Sequence, residues 1–151
     1  MSNSVLFRER MWPNVGMFIL FLMLIPAVIL LFMPVNVTVG YFAAPLSYLI
    51  IMGVISLSAP VITVADGSLH AGHASIPCDQ LGEIEVLDSH RLTLTLGHGA
   101  DSRAFLCIRG WIHSGLKIEN IDPADPAPYW VVTTRKPGQL KAAIESARVT
   151  V

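Results

Sequence analysis

Two histidines, His70 and His73, have a spacing that metal ligands use. Zinc takes three or four His, Cys or carboxylate ligands, and Cys78 and Asp79 follow soon after. However, Gly72 lies between the histidines, and the His-Glu-x-x-His pattern, which puts two ligands on one helix face, is absent. We therefore predict that both histidines are surface polar residues and that the chain holds no metal and no other cofactor.

Nucleophilic catalysis needs a Ser or Cys beside a base that an acid orients. Cys107 lies among apolar neighbours, and we expect it in the core. The two cysteines of the chain permit one disulfide without requiring it. Glu83 and Glu85 alternate along a predicted strand, so they share one face, which we expect to be solvated. No Gly-x-Ser-x-Gly motif occurs, and we predict that the protein is not an enzyme.

A proline-rich segment, Asp122 to Trp130, reads Asp-Pro-Ala-Asp-Pro-Ala-Pro-Tyr-Trp. Proline fixes φ, and an aspartate near proline accepts backbone N–H groups in turns. One interpretation is a rigid turn that joins two strands. The other is a preformed docking loop with an aromatic anchor, and the sequence leaves open whether that aromatic pair faces core or surface. The candidate partner-binding residues here are Asp122, Asp125, Tyr129 and Trp130.

Basic and aromatic side chains recur later in the chain, at Arg109, Trp111, Arg135 and Lys136. Held near a membrane, such residues bind anionic lipid headgroups, which makes them candidates for partner or lipid binding. The alternative is a scatter of unrelated surface charges. The formal net charge of the whole chain is only -1, so nothing indicates a nucleic-acid partner.

The elements that carry these residues divide into an apolar part and a polar part. The chain has 151 residues, of which 53% are hydrophobic and 14% charged, and residues 11–65 carry no charge. Two apolar runs, residues 15–33 and 41–59, each reach about 28 Å as helices, enough to cross a bilayer. The short connector predicts a transmembrane helical hairpin. Small residues near one face of the second span, Gly40, Ala44 and Ser47, allow close packing against the other span or against a helix of another subunit.

Lysine and arginine near the spans predict the orientation of the hairpin. Arg8 and Arg10 precede the first span, and the connector has no Lys or Arg. By the positive-inside rule the N-terminus is cytoplasmic, and two crossings return the chain to the cytoplasm. We therefore expect an inner-membrane protein with both termini cytoplasmic. A cleaved signal peptide is the alternative, but its apolar core is shorter and ends in small residues.

The remaining residues, 60–151, have the patterns of a small α+β domain. Short apolar or alternating runs, such as Tyr129–Thr134, predict six or seven strands, with Asp66-Gly67 as a tight hairpin turn. Residues 88–97 fit a strand or a short helix. From Pro137 onward the spacing predicts an amphipathic helix whose apolar face is Leu140, Ala143, Ile144 and Ala147. The pattern suggests a β-rich, pleckstrin-homology-like open barrel with a C-terminal helix.

Several phrases together resemble an uncharacterised family of actinobacterial two-span membrane proteins, a domain of unknown function. They are Phe7-Arg-Glu-Arg10, Val64-Ala-Asp-Gly67, Leu81-Gly82, Asp101-Ser-Arg-Ala104, Arg109-Gly-Trp111 and Asp122 to Trp130. The resemblance implies two spans with a cytoplasmic domain, and it favours a helix at residues 88–97. It also implies arginines where this chain has His70 and His73, which argues against a metal site. It implies no activity.

These observations predict three regions: a cytoplasmic segment 1–14, a transmembrane hairpin 15–59 and a cytoplasmic domain 60–151. We expect a non-catalytic integral membrane protein whose cytoplasmic domain binds a membrane-protein partner, as an accessory or assembly subunit of a larger complex. The first alternative is a module that binds anionic lipid headgroups. The second is a small membrane enzyme or metalloprotein.

Overall fold

The computed structural model describes residues 5–98 and 100–149, which form two compact units. The helical unit comprises residues 12–59. The sheet unit combines chain from before and after the helical unit, residues 5–11 with residues 60–149. The predicted segment 1–14 is therefore divided between the two units, and residues 1–4 lie outside the described residues.

Three helices build the helical unit: α1 (Val15–Leu22), α2 (Leu24–Phe32) and α3 (Val37–Leu57). Only Met23 separates α1 from α2. The break lies just before Pro26, because a proline ring clashes with the carbonyl group four residues earlier and offers it no N–H.

Two stretches of the helical unit, Val15–Phe32 and Val37–Leu57, are long and apolar enough to cross a membrane. The first stretch has a mean hydropathy of 2.9 with 0% of its residues buried within the protein, and the second has a mean hydropathy of 1.7 with 17% buried. They agree with the predicted apolar runs 15–33 and 41–59, except that the second begins four residues earlier. The earlier start has a local cause, because the side chain of Asn36 caps α3 by accepting the Thr38 N–H at 3.0 Å.

Close packing of α2 and α3 depends on Gly40. A Cβ atom there would lie 3.1 Å from Cβ of Phe32 and 3.3 Å from Cα of Ile29, tighter than ordinary contact. Gly40 and Ala44 are both buried. Of the two packing partners that the sequence left open for these small residues, the structure shows the other span of the chain at Gly40.

The first sheet is antiparallel, in the order β1-β2-β3-β4. Its turn at Asp66-Gly67 has φ values of 52° and 71°, as the tight hairpin predicted for this dipeptide requires. β1 was not predicted from the sequence. It precedes the helical unit in the chain and pairs with β2, which follows that unit, so that Arg10 lies opposite Val61. The strands are β1 (Val5–Arg10), β2 (Val61–Ala65), β3 (Ser68–Ala71) and β4 (Ala74–Pro77).

The second sheet has the order β5-β7-β8-β6, and only β6 and β8 are parallel. Because the strands form two separate four-stranded sheets, the described residues contain no closed barrel. The α+β class is confirmed, whereas the pleckstrin-homology-like barrel is not. The strands are β5 (Leu81–Leu87), β6 (Phe105–Cys107), β7 (Gly115–Asn120) and β8 (Tyr129–Thr133).

Two further helices cover the sheets. Residues 88–97, which fitted strand or helix, contain α4 (Ser89–Leu96), where the Asp88 carboxylate caps the helix by accepting the Arg91 N–H at 2.8 Å. The second, α5 (Pro137–Val149), begins at the predicted proline. Its four predicted apolar residues, from Leu140 to Ala147, are all buried.

Apolar side chains of the sheet unit form two clusters. The main core joins both sheets and α5, and it includes Leu69, Leu116 and Leu140, all fully buried. A smaller outer cluster lies on the other face of the second sheet, where Leu92 of α4 covers Leu87 and Val131. The main core thus holds the two sheets together, and the outer cluster holds α4 on the second sheet.

Candidate interaction surfaces

The proline-rich loop between β7 and β8 is a rigid turn. The carboxylate of Asp122 accepts the Ala124 N–H at 2.8 Å, and that of Asp125 accepts the Ala127 N–H at 2.9 Å. Asn120 closes the loop by donating its side-chain amide to the Ala127 carbonyl oxygen at 2.9 Å. Both aspartates therefore stabilise the loop, and a role for them in docking stays a prediction.

The aromatic pair that follows the loop divides between core and surface. Trp130 is only 3% exposed, and its ring lies 4.2 Å from that of Phe105, centroid to centroid. Trp130 therefore cannot be the exposed docking anchor that the sequence analysis considered, because its side chain fills the main core. Tyr129 points to the opposite face of β8 and is half-buried. Its hydroxyl oxygen accepts the Asp101 N–H at 2.8 Å.

Tyr129 lines an open groove on the outer face of the second sheet, with a volume of about 320 Å³. The Lys117 ammonium group lies over the Tyr129 ring, 4.6 Å from its centroid, a cation–π contact. Three carboxylates against one ammonium group give the lining an acidic excess. The groove, which we call the acidic groove, is lined by Glu83, Glu85, Lys117, Glu119, Pro128 and Tyr129.

The acidic groove owes part of its shape to Gly82. A Cβ atom there would lie 2.6 Å from Oε2 of Glu119 and 3.0 Å from its Cβ. Without that atom, the Glu119 carboxylate approaches the backbone and accepts the Glu83 N–H at 3.3 Å. The prediction that Glu83 and Glu85 are solvated is confirmed, since both are exposed, and Glu85 pairs with Arg91 at 2.8 Å. Lys117 and Glu119 were not predicted as site residues. They alternate with apolar residues along β7, and that alternation was the signal that could have placed them on one exposed face.

The predicted basic and aromatic residues lie near two buried threonines, Thr133 at the end of β8 and Thr134 directly after it. Thr133 Oγ1 accepts the Arg109 N–H at 3.1 Å, and the Arg109 guanidinium lies 6.0 Å from the ring centroid of Trp111. Lys136 donates its backbone N–H to Thr134 Oγ1 at 3.1 Å. The structure therefore brings the backbones of these residues together, although they are separated in sequence.

Glu9, which the sequence analysis did not select, connects this region to β1. Its carboxylate accepts the Arg135 backbone N–H at 3.2 Å and the hydroxyl hydrogen of Thr134. Arg8 and Arg10 flank Glu9 and are exposed on the other face of the strand. The two arginines that served only as a topology signal thus belong to the strand that Glu9 connects to Arg135.

The two cysteines are free thiols buried in the main core, as expected for Cys107. Burial raises the pKa of the Cys78 thiol above its usual value, although nearby Arg148 acts in the opposite direction. Burial likewise raises the pKa of Cys107, against a smaller opposing effect of Arg109. Both thiols therefore stay protonated near neutral pH and are poor nucleophiles.

The predicted surface positions of the histidines are confirmed. His70 lies on β3 opposite Ser75, and His73 lies in the turn before β4; both are exposed. Within residues 5–98 and 100–149, no group of three His, Cys, Asp or Glu side chains is arranged to hold a metal ion.

The sheet unit and its two surfaces define a split α+β domain with an apolar helical hairpin inserted after its first strand. Residues 6–144 match the model of the family described as "Protein of unknown function (DUF3093)". The chain belongs to this family. No curated protein matches the chain, and no solved structure matches it.

Proposed function

We propose that this protein is a non-catalytic integral membrane protein whose hairpin anchors a cytoplasmic interaction domain, as an accessory or assembly subunit of a larger membrane complex. One observation carries the proposal: β1 precedes the hairpin, and its partner strand β2 follows it. A strand pair cannot form across a bilayer, so residues 5–10 and 61–65 must share one side of the membrane. That condition requires an even number of crossings, which two apolar helices satisfy.

The side chains of the hairpin support a membrane location. Residues 11–65 carry no charge, no residue of α1 or α2 is buried, and several large apolar side chains there, such as Ile19 and Leu31, are exposed. Apolar surfaces of that extent need lipid or a protein partner to cover them. A cleaved signal peptide fits poorly, because cleavage after the first span would remove β1 from its sheet. Arg8 and Arg10 favour the cytoplasm as the side that holds the sheet unit.

The acidic groove is the surface that we assign to the protein partner. Its lining combines carboxylates with the exposed part of Tyr129, and aromatic residues are enriched at protein interfaces. The rigid loop that ends at Pro128 forms one wall, so little conformational entropy is lost on binding. A basic segment of a neighbouring membrane protein would complement this groove.

The two four-stranded sheets and the closing helix α5 also support a pleckstrin-homology-like relationship, which we retain as part of the proposal.

A photo-crosslinking amino acid placed at Glu83 or Glu119 of the full-length protein tests this assignment in its native membranes. We expect a discrete crosslinked product at both groove positions. Glu145 on α5 is the matched control, because it is an exposed glutamate outside the groove. Products of equal yield at all three positions, or none at the groove, would contradict the proposed docking surface. Recovery of the protein outside the membrane fraction would contradict the anchoring itself.

A further inference from the structure

The charges of the sheet unit are segregated, although the whole chain is nearly neutral. The chain has ten bases and eleven acids. Five of the bases and only one acid, Glu9, belong to the region where β1 meets the end of β8, which we call the basic collar. The remaining five bases and ten acids lie elsewhere in the sheet unit, the acidic groove included. The bases of the collar are Arg8, Arg10, Arg109, Arg135 and Lys136.

Hydrogen bonds establish that the collar is one region. Glu9 accepts the Arg135 backbone N–H, and Thr133 Oγ1 accepts that of Arg109. The Thr133 hydroxyl also lies 3.9 Å from the sulfur of Met11. Strand alternation puts the exposed Arg8 and Arg10 on the opposite face of β1 from Glu9. The side chains of Arg8 and Arg10 therefore lie on one face of β1, and Glu9 holds the Arg135 backbone at the other.

Arg10 of the collar directly precedes Met11, the residue at which the chain leaves the sheet unit for the hairpin. The Met11 N–H donates to the Pro60 carbonyl oxygen at 3.0 Å, so the two connections leave side by side. Only four residues separate Arg10 from the start of α1. A chain of that length spans at most about 18 Å, which keeps Arg10 near the headgroup layer of a bilayer that holds the hairpin.

We propose that the basic collar binds the anionic phospholipid headgroups of the leaflet next to the sheet unit. The inference rests on the proposed membrane anchoring and names a second partner for the same domain. An anionic leaflet attracts basic residues near its surface and repels an acidic surface. The segregation of charge therefore orients the domain: the collar binds lipid, and the acidic groove stays accessible to a protein.

The test uses the full-length protein in detergent micelles, titrated with dioctanoyl phosphatidylglycerol or dioctanoyl phosphatidylcholine and followed by native mass spectrometry. We expect the phosphatidylglycerol complex to be the tighter one and to weaken as salt is raised. In the R135Q/K136Q variant its affinity should fall roughly 5- to 30-fold, as expected for two bases near an anionic surface. The backbone donors of both residues are retained in this variant.

The matched control is R103Q/K141Q, which removes the same charge from bases that pair with Asp101 and Glu145 outside the collar. Its affinity should change less than about 2-fold, because exposed pairs far from the lipid contribute little. Equal affinity of the wild-type protein for the two lipids overturns the inference whether or not a variant folds. Equal losses of phosphatidylglycerol affinity in the two variants also overturn it. So does a result in which R135Q/K136Q no longer co-purifies with a protein partner but binds lipid as the wild-type protein does.

The groove crosslink separates the two proposals. If R135Q/K136Q and wild type both bind the two lipids equally while the crosslink at Glu83 persists, the collar inference fails and the proposed function stands. Failure of the protein to fractionate with membranes removes both.

Discussion

The main core and the outer cluster differ in what they connect. The main core joins strands from both sides of the hairpin with α5, through side chains as far apart in sequence as Phe7 and Ile144. The outer cluster joins α4 to the face of the second sheet that also carries Tyr129. The integrity of the domain and the shape of the acidic groove therefore depend on separate sets of apolar contacts. Substitutions in the two clusters should therefore have separable effects.

The largest effect is expected from Leu140→Ala in the main core. Leu140 is fully buried between α5 and the sheets, so its truncation leaves a cavity that surrounding strands cannot close. We expect a loss of about 4 kcal/mol in the free energy of unfolding. Urea unfolding of the full-length protein in detergent, followed by the fluorescence of Trp111 and Trp130, measures it. Both lipid binding and the groove crosslink should decline together, and retention of either one would contradict the view that a single core supports both surfaces.

The same substitution in the outer cluster, Leu92→Ala, should lower the free energy of unfolding by about 2 kcal/mol. The loss is smaller because the short helix α4 can shift toward the sheet and partly fill the space that the truncated side chain leaves. Leu92 of α4 is buried against Leu87 and Val131 of the second sheet. Here we expect the groove crosslink to weaken while the preference for phosphatidylglycerol stays. Identical losses for Leu92→Ala and Leu140→Ala would show that the two clusters unfold as one.

The smallest effect is a loss of stability at high pH that originates in the main core, which holds both cysteines. Burial raises the pKa of Cys78 and Cys107, so above about pH 9 the folded protein binds more protons than the unfolded chain. Their contribution is complete below the pKa of an unfolded thiol and is lost as pH rises through the higher folded value. The midpoint of thermal unfolding should therefore fall as the pH is raised from about 8.5 to about 10.5. A variant in which both cysteines are replaced by alanine should show a smaller fall in the midpoint. If its midpoint falls as steeply with pH as that of the wild-type protein, other titrating groups cause the effect.

Local signals in the sequence predicted the elements that local interactions stabilise. The turn at Asp66-Gly67 needs positive φ, and the spacing of Leu140 and Ile144 matches one helix face, so both were recognisable from a few residues. Helix α4 was ambiguous because Leu92, Leu94 and Leu96 alternate like a strand. The Asp88 cap and burial of Leu92 against the second sheet stabilise the helix instead.

Long-range pairing is where the sequence was insufficient. The segment from Val5 to Arg10 carries three charges in six residues, so it has no hydrophobic alternation from which a strand could be predicted. Its conformation depends on β2, which lies beyond the hairpin in sequence. The same pairing brings Arg8 and Arg10 into the sheet unit, and nothing within residues 60–151 signals that addition.

The pairing of β1 with β2 also sets the order of events during biosynthesis. The ribosome releases β1 first, but its partner strand emerges only after all of the hairpin has been translated. With the proposed membrane anchoring, the first strand stays unpaired until the hairpin has inserted, because a long loop has to close before non-local contacts can form. Insertion of the hairpin in that topology would bring the ends of the loop together and so lower the entropic barrier to completing the sheet. A variant whose hairpin fails to insert would leave an exposed edge at β2, which makes it a target for aggregation or proteolysis before it can assemble with any partner.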